Sequence, residues 1–175
     1  MQVERIPEWA LTQADDTNIA TLLERGFQED FGNRSFHQQR HHVRFVVRDN
    51  GSIIGHMALC YRAVRLGDTL TTICGLAEVV TAPEARGKGV ASALLTDAIS
   101  FAKSTPATYF LLFGDRPMYA GFGFENHPNT KTYVVLDDAR TASVEARGNR
   151  GVMVLPLTET PWDPEAHLDL LGHKF

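Results

Sequence analysis

Residues 79–91 read V-V-T-A-P-E-A-R-G-K-G-V-A. A β-branched run stops at Pro83, a charged turn with two glycines follows, and apolar residues then recur at Val90, Leu94, Leu95, Ala98, Ile99 and Ala102. That spacing is the apolar stripe of a helix packed on one face. A strand that hands over directly to such a helix needs neighbours to pair with and a sheet face to cover, which narrows the chain to an α/β architecture. The corner also poses a chemical question, because residues bulkier than glycine would make a tighter joint.

The rest of the chain supplies the sheet. Residues 2–6 predict a short first strand, and Asp15-Asp16-Thr17 can cap a helix with Ile19, Leu22, Leu23 and Phe27 on one face. Strands are predicted over 42–48 and 53–64, joined by Asp49-Asn50-Gly51, since Asn-Gly readily takes the positive φ of a tight hairpin turn. Leu66-Gly67-Asp68 makes the next turn, followed by a long fourth strand over 70–81, the helix over 90–103 and a fifth strand over 108–113. A short helix near 118–120 and strands over 132–136 and 152–157 complete the order. With no repeat or linker in its 175 residues, the chain is expected to form one domain spanning 1–175.

At the corner, the first turn of the helix leaves N–H groups without partners, the helix dipole adds partial positive charge, and glycine lets a ligand approach the backbone. Together these make a phosphate pocket. The amides of Lys88, Gly89, Val90, Ala91 and Ser92 are the candidates to line it, with mobile charge from Arg86 and Lys88 and a hydroxyl from Ser92. An ordinary glycine-rich joint with surface charges is the alternative. Neither G-x-x-x-x-G-K-[ST] nor G-x-G-x-x-G with a following acid is present, which argues against a nucleotide triphosphatase or a Rossmann dehydrogenase. A net charge of −4 argues against broad nucleic-acid binding and suits a cationic small molecule. No apolar run approaches the roughly 18 residues of a membrane helix, and MQVERIPEWA lacks the basic start and apolar stretch of a signal peptide. The expectation is a cytoplasmic protein with no nucleic-acid or membrane partner. Cys60 and Cys74 lie in apolar, strand-like surroundings and read as buried free thiols. His37 and His41 are four apart but lack a third ligand at a recognisable spacing, so they read as solvated histidines or residues at the substrate rim, and no metal is expected.

The stretch P-E-A-R-G-K-G-V-A resembles the acyl-CoA motif of the GNAT (Gcn5-related) N-acetyltransferases, R/Q-x-x-G-x-G/A, through Arg86, Gly89 and Ala91. Residues 118–125, M-Y-A-G-F-G-F-E, are similar to the family's F-Y-x-x-x-G-F-x segment through Tyr119, Gly123 and Phe124. The element order from about residue 15 to 157 is also the family's. The resemblance implies a mixed, mostly antiparallel sheet of six to seven strands flanked by helices and splayed between the fourth and fifth strands. It implies acetyl-CoA as co-substrate and direct transfer of the acetyl group to a primary amine of a small molecule. The implied CoA-binding residues are Val79, Val80 and Thr81 through their main chain, and Arg86, Gly87, Lys88, Gly89, Val90, Ala91 and Ser92 at the corner. Tyr119 would protonate the departing thiolate, as a phenol of pKa about 10 can; a core tyrosine under the glycine turn is the alternative. Homodimers are common in the family. One departure is that L-L-F-G-D-R-P-M-Y, residues 111–119, lacks the Asn that often precedes this Tyr.

An amine acceptor arrives protonated and must lose a proton before it attacks. Glu78 is the only acid in the fourth-strand run and is expected to accept that proton directly or through water, with its pKa raised by burial. Its alternative is an outward-facing residue paired with a Lys or Arg. His56 is the second candidate, against a buried core histidine, and is grouped with Glu29 and Asp30 as acceptor-binding. Glu24, Glu29 and Asp30 offer carboxylates to a cationic amine, or simply form a solvated helix face. Residues 56–67, the R-G-x-x-V-A-S-A-L-L stretch at 86–95 and residues 154–157 resemble bacterial aminoglycoside 2′-N-acetyltransferases, while the same middle region and residues 162–172 resemble nodulation acyltransferases. Trp162 either covers a hydrophobic edge or lines the acceptor site. The rival readings are a non-catalytic CoA-binding module and an acyltransferase using a longer acyl donor.

Overall fold

The computed structural model describes residues 1–28, 30–147 and 151–175. They fall into two compact units, Met1–Cys60 with Ala77–Ser100 and Tyr61–Leu76 with Phe101–Phe175. The elements are β1 (Glu4–Pro7), α1 (Gln13–Gly26), β2 (Val43–Asp49), β3 (Ser52–Leu66), β4 (Thr69–Thr81), α2 (Val90–Lys103) and β5 (Tyr109–Leu112). They continue as α3 (Pro117–Gly121), β6 (Glu125–His127), β7 (Lys131–Asp137), β8 (Arg140–Arg147), β9 (Val152–Pro156) and β10 (Leu168–His173). Single 3-10 turns lie at Glu8–Ala10 and Pro83–Ala85. β3 and β4 are long enough for each to contribute residues to both units.

In the first unit, β1, β2 and the first half of β3 form an antiparallel ladder, with Pro7 opposite Val43 and Val43 opposite Leu59. The β2–β3 turn carries the left-handed pair that its Asn-Gly requires, Asn50 at φ 48° and Gly51 at φ 83°. α1 starts one turn earlier than its acids suggested. Thr12, not Asp15, is the cap, and its hydroxyl oxygen accepts the Asp15 N–H at 3.1 Å while Asp15 and Asp16 sit in the first turn, where the dipole favours them. α1 buries Ile19, Leu22 and Leu23, and α2 buries Val90, Leu94, Leu95 and Ala98. Arg5 on β1 holds Asp97 on α2 through two N–H···O bonds of 2.6 and 2.8 Å.

Two glycines set the closeness of this packing. A Cβ on Gly26, the last residue of α1, would lie 2.1 Å from Val80 Cγ2 on β4, and one on Gly55 of β3 would lie 2.3 Å from Val90 Cγ1 and 3.0 Å from Leu94 Cδ1. α1 and α2 therefore approach the strands at distances only glycine permits.

In the second unit the strand order is β6-β9-β5-β4-β3-β10-β7-β8. β5 lies parallel to β4 and β7 parallel to β10; β9 runs antiparallel to β5 and β6, β10 to β3, and β8 to β7. The β4–β5 pairing covers only Ile73–Leu76 against Tyr109–Leu112, and β4 runs on to Thr81 beyond it. Val64, Ile73, Leu111, Val154, Leu168 and Trp162 belong to one buried cluster. Trp162 is resolved as a core residue: its indole N–H donates to Asn129 Oδ1 at 2.9 Å, and its ring stands edge-on to Tyr109 at 5.0 Å.

The sheet has more strands than the six or seven expected. β6 is three residues long, β8 is largely polar, and β10 lies beyond 152–157, the last strand expected from the sequence. Replacing Gly55 with Ala should destabilise the protein by about 1–3 kcal/mol through overpacking. A lower urea midpoint at unchanged slope would show it, and adding Val90→Ala should recover part of the loss.

Candidate active site

The corner between β4 and α2 is built as a turn open to solvent. Ala82 N–H donates to Ile54 C=O at 2.8 Å, which ties the end of β4 to β3, and Pro83–Ala85 then makes one tight turn. Gly87 and Gly89 both adopt left-handed backbone, φ 74° and 79°, and a Cβ on either would meet no atom within 4 Å. The regular ladder of α2 begins with Ala93 N–H donating to Gly89 C=O at 3.0 Å, so the amides of Val90, Ala91 and Ser92 lie ahead of it. Arg86, Lys88, Gly89 and Ser92 are exposed, Val90 is buried, and no acid occupies the first turn. Those features fit the diphosphate of a CoA thioester: open space over glycine, amides at a helix start, and two cations beside them.

Immediately before Val79, Val80 and Thr81, β4 is distorted at Glu78, a non-glycine residue with φ 52°. Such backbone persists only where its surroundings over-determine it, and here a buried polar network does so. Arg44 on β2 is 0% exposed. Arg44 lies opposite Ala58 and Val46 opposite His56 in the ladder, so Arg44 and His56 are diagonal neighbours on one face. The Arg44 guanidinium donates to both Glu8 oxygens at 2.7 and 3.0 Å, to Ser35 C=O at 2.8 Å and to Glu78 Oε2 at 3.1 Å. It also lies 3.2 Å from His56 Nε2. Because a guanidinium only donates, Nε2 is the acceptor and the His56 proton sits on Nδ1, which donates to Glu78 C=O at 3.0 Å. Glu78 Oε1 accepts the His37 backbone N–H at 2.7 Å and lies 2.9 Å from His41 Nε2.

This arrangement reverses the expected pKa of Glu78. Burial alone would raise it, but the His41 imidazole 2.9 Å away and the nearby positive charge of Arg44 outweigh burial and hold the carboxyl at about 2. Its side chain is 6% exposed, not outward-facing, and both oxygens are engaged, so it is a poor proton acceptor. His56 is fully buried and its pKa falls to about 3, chiefly by desolvation and then by Arg44. With both nitrogens bonded inside the protein, it meets neither the acceptor-binding nor the base expectation; it pins the Glu78 carbonyl instead. Asp30 is exposed and accepts the Gly32 N–H at 2.6 Å, and Glu29 lies outside the described residues.

Tyr119 belongs to the second unit. It is 5% exposed, lies within α3 and caps the glycine turn by accepting the Phe122 and Phe124 N–H groups at its carbonyl. Gly114 leaves room for its ring, since a Cβ there would stand 3.4 Å from Tyr119 Cε2. Burial pushes the phenol pKa up, and Arg116 opposes this weakly. Cys60 and Cys74 are both buried and unbridged. Sequence reasoning missed Arg44 and Glu8. The available signal was an arginine flanked by apolar residues in H-V-R-F-V-V-R, because a charge on a buried strand requires partners.

Residues 10–126 match the family model of the acetyltransferase (GNAT) domain, and the chain belongs to that family. A GNAT family N-acetyltransferase (YhbS) from Escherichia coli, solved with CoA, is similar at a TM-score of 0.65 and 17% identity over 96% of this chain and 88% of that one. A GNAT acetyltransferase from Brucella melitensis, solved with acetyl-CoA, is similar at a TM-score of 0.58 and 17% identity over 95% and 94%. The ribosomal-protein-S18-alanine N-acetyltransferase of Escherichia coli is similar at 0.60 and 15% over 91% and 97%. The chain spans only 33–35% of four longer matched structures. No curated protein matches it. The fold is thus the GNAT fold, a mostly antiparallel sheet with few helices. Among the described residues, no helix is long and apolar enough to cross a membrane, and no three His, Cys, Asp or Glu side chains are grouped to hold a metal.

The shifted groups set an acid sensitivity. His56 binds a proton in the unfolded chain below about pH 6.5 but in the folded protein only near 3, and Glu78 does so near 4.5 and 2 respectively. In both windows the unfolded state holds more protons, so stability is full above about 6.5 and falls on acidification, first through His56 and then also through Glu78. The urea midpoint should therefore drop between pH 7 and 5, and His56→Gln should flatten that drop.

Proposed function

We propose that the chain transfers the acetyl group of acetyl-CoA directly to a primary amine of a small molecule, acting as one acyltransferase domain in the cytoplasm. The observation that carries this reading is the bend at Arg86–Gly89, where two left-handed glycines leave open space in front of the amides that begin α2. Membership of the acetyltransferase family and the likeness to structures solved with CoA and acetyl-CoA support it.

In this reading Gly87, Lys88, Gly89, Val90, Ala91 and Ser92 hold the diphosphate by main-chain donors, with Arg86 and Lys88 supplying charge. Val79, Val80 and Thr81, on the part of β4 beyond its pairing with β5, direct main-chain donors at the pantetheine and the thioester carbonyl. The bound thioester supplies the activated acetyl group. Tyr119 donates the proton that the thiolate takes up, and the raised phenol pKa keeps that proton in place at neutral pH. The net charge of −4 and the exposed Asp30 favour a cationic acceptor.

Isothermal titration with acetyl-CoA tests the first half of the proposal. Wild type should bind, whereas Arg86→Ala combined with Gly89→Glu, which places a carboxylate and a strained side chain in the bend, should abolish binding. Thiol release and product mass with spermidine, kanamycin A and lysine test the second half. Tyr119→Phe should lower kcat about 100-fold with cofactor affinity unchanged, in the range of a lost general acid. Failure of the wild type to bind acetyl-CoA at millimolar concentration would refute the reading.

A further inference from the structure

We propose that Phe113 and Tyr133, with Glu145 at the rim, form a slot for an alkylammonium group of the acceptor, and that Lys174 fills this slot in the free protein as an internal stand-in. The assignment to the acceptor rests on the acetyltransferase reading above and narrows the substrate class to amines that carry a second positive charge. Lys174 Nζ lies 4.5 Å from the centre of the Tyr133 ring and 5.5 Å from that of Phe113. Both distances fall within the roughly 6 Å over which an aromatic face attracts a cation. The Tyr133 hydroxyl donates to Glu145 Oε2 at 3.2 Å, so a carboxylate stands at the edge of that ring and adds negative potential. Tyr133 is buried, Lys174, Phe113 and Glu145 are half-buried, and residues 114–117 are exposed, which places the slot at the surface.

Every residue of the slot belongs to the second unit, and so does the proposed acid. Phe113 follows β5 and precedes Gly114, where a Cβ would stand 3.4 Å from Tyr119 Cε2. The segment that carries Lys174 departs from the regular ladder. β10 pairs with β3 at Leu168 and Asp169, its register against β7 shifts between Asp169 and His173, and Leu171 takes a left-handed φ of 49°. Past that break, side chains hold the segment: the Arg62 guanidinium donates to His173 C=O and lies 4.9 Å over the Phe175 ring, which meets Phe113 at 5.1 Å. Withdrawal of Lys174 therefore leaves the Leu168–Asp169 pairing intact.

Charge decides how the slot can be used. Arg62 and Lys131 add positive charge around it; Lys131 is 1% exposed, and burial, then the nearby Lys174 charge, lower its pKa. Exchange leaves that local charge unchanged, because one ammonium enters as another leaves. A ring face holds a cation, so the nitrogen in the slot stays protonated, whereas the nitrogen that attacks must be neutral. One amine cannot do both, and the acceptor therefore carries at least two, as a polyamine does. Because the ligand competes with Lys174, its apparent affinity is scaled down to the fraction of molecules whose slot is empty.

The test uses the full chain and tetramethylammonium chloride, whose cation suits an aromatic slot and cannot be acetylated. In the wild type, sulfo-NHS acetate should label Lys174 at least threefold faster in 200 mM tetramethylammonium chloride than in 200 mM sodium chloride, as read by peptide mass mapping. Unchanged labelling would overturn the inference, and this arm needs no variant, so it decides the slot even if a substitution misfolds. Lys174→Met, which keeps an apolar stem and removes the charge, should tighten the tetramethylammonium Kd at least fivefold, and adding Phe113→Leu should reverse that gain. A folded Lys174→Met protein that binds the ion no tighter than wild type, or a double variant that keeps the gain, would equally sink it. In turnover, kcat/KM for spermidine should exceed that for butylamine at least tenfold, and Lys174→Met should lower the KM for spermidine. Equal use of the two amines refutes the acceptor assignment. A wild type that binds no acetyl-CoA refutes the parent reading, while the labelling and Kd measurements still decide the slot.

Discussion

Arg44 brings a permanent charge into a place with no water, and much of the first unit is arranged to make that tolerable. A buried guanidinium must find acceptors for its N–H groups, because desolvating it unpaired would far exceed the few kcal/mol of net stability a domain has. Its partners come from separate parts of the chain: Glu8 after β1, Ser35 in the loop that follows α1, His56 on β3 and Glu78 on β4. One side chain therefore fixes the register of four segments at once. Glu8, itself pulled below its usual range despite burial, shares its charge with Arg40 as well as Arg44. Removing any one carboxylate would strand charge in the interior, the case in which buried ion pairs matter most, at about 3–5 kcal/mol.

Around that electrostatic centre the apolar packing is set by absence of side chain. Gly26 and Gly55 let α1 and α2 come down on β4 and β3, and the residues they meet, Val80 and Val90, are the two that flank the bend. Val80 belongs to the strand segment assigned to the thioester and Val90 opens the helix assigned to the diphosphate. Gly87 and Gly89 do the complementary task, since their open Cβ directions face no protein atom.

The parts of this design that were legible in sequence are those encoded by local rules. The helix over 90–103 was readable because its apolar stripe is long and uninterrupted, and the β2–β3 hairpin because Asn50-Gly51 can hardly do otherwise. The corner was readable from its glycines. The cap of α1 was not, because Thr12 and Asp15 are both competent caps and only the preceding chain direction decides between them. β8 and β10 were missed because one is polar on the exposed side of an edge pairing and the other is interrupted by Leu171 at φ 49°. The network at Glu78 was least legible of all. A carboxylate in a strand reads as a base with elevated pKa when burial is the only influence in view; the direction reverses once Arg44 and His41 arrive from residues 34 to 37 positions away, and no local pattern announces them.

The twist of the backbone at Glu78 has an evolutionary corollary. Left-handed dihedrals there would suit glycine or asparagine, and exchanging Glu for either would relieve about 1–3 kcal/mol of local strain. The same exchange would delete one of the two carboxylates paired with buried Arg44, the other being Glu8, a larger loss. Position 78 therefore keeps Glu against its backbone preference, and a single substitution there costs stability unless Arg44 changes with it. Descendants of this chain should vary freely along the outer strands yet keep these two residues as an inseparable couple, exchanged together or not at all.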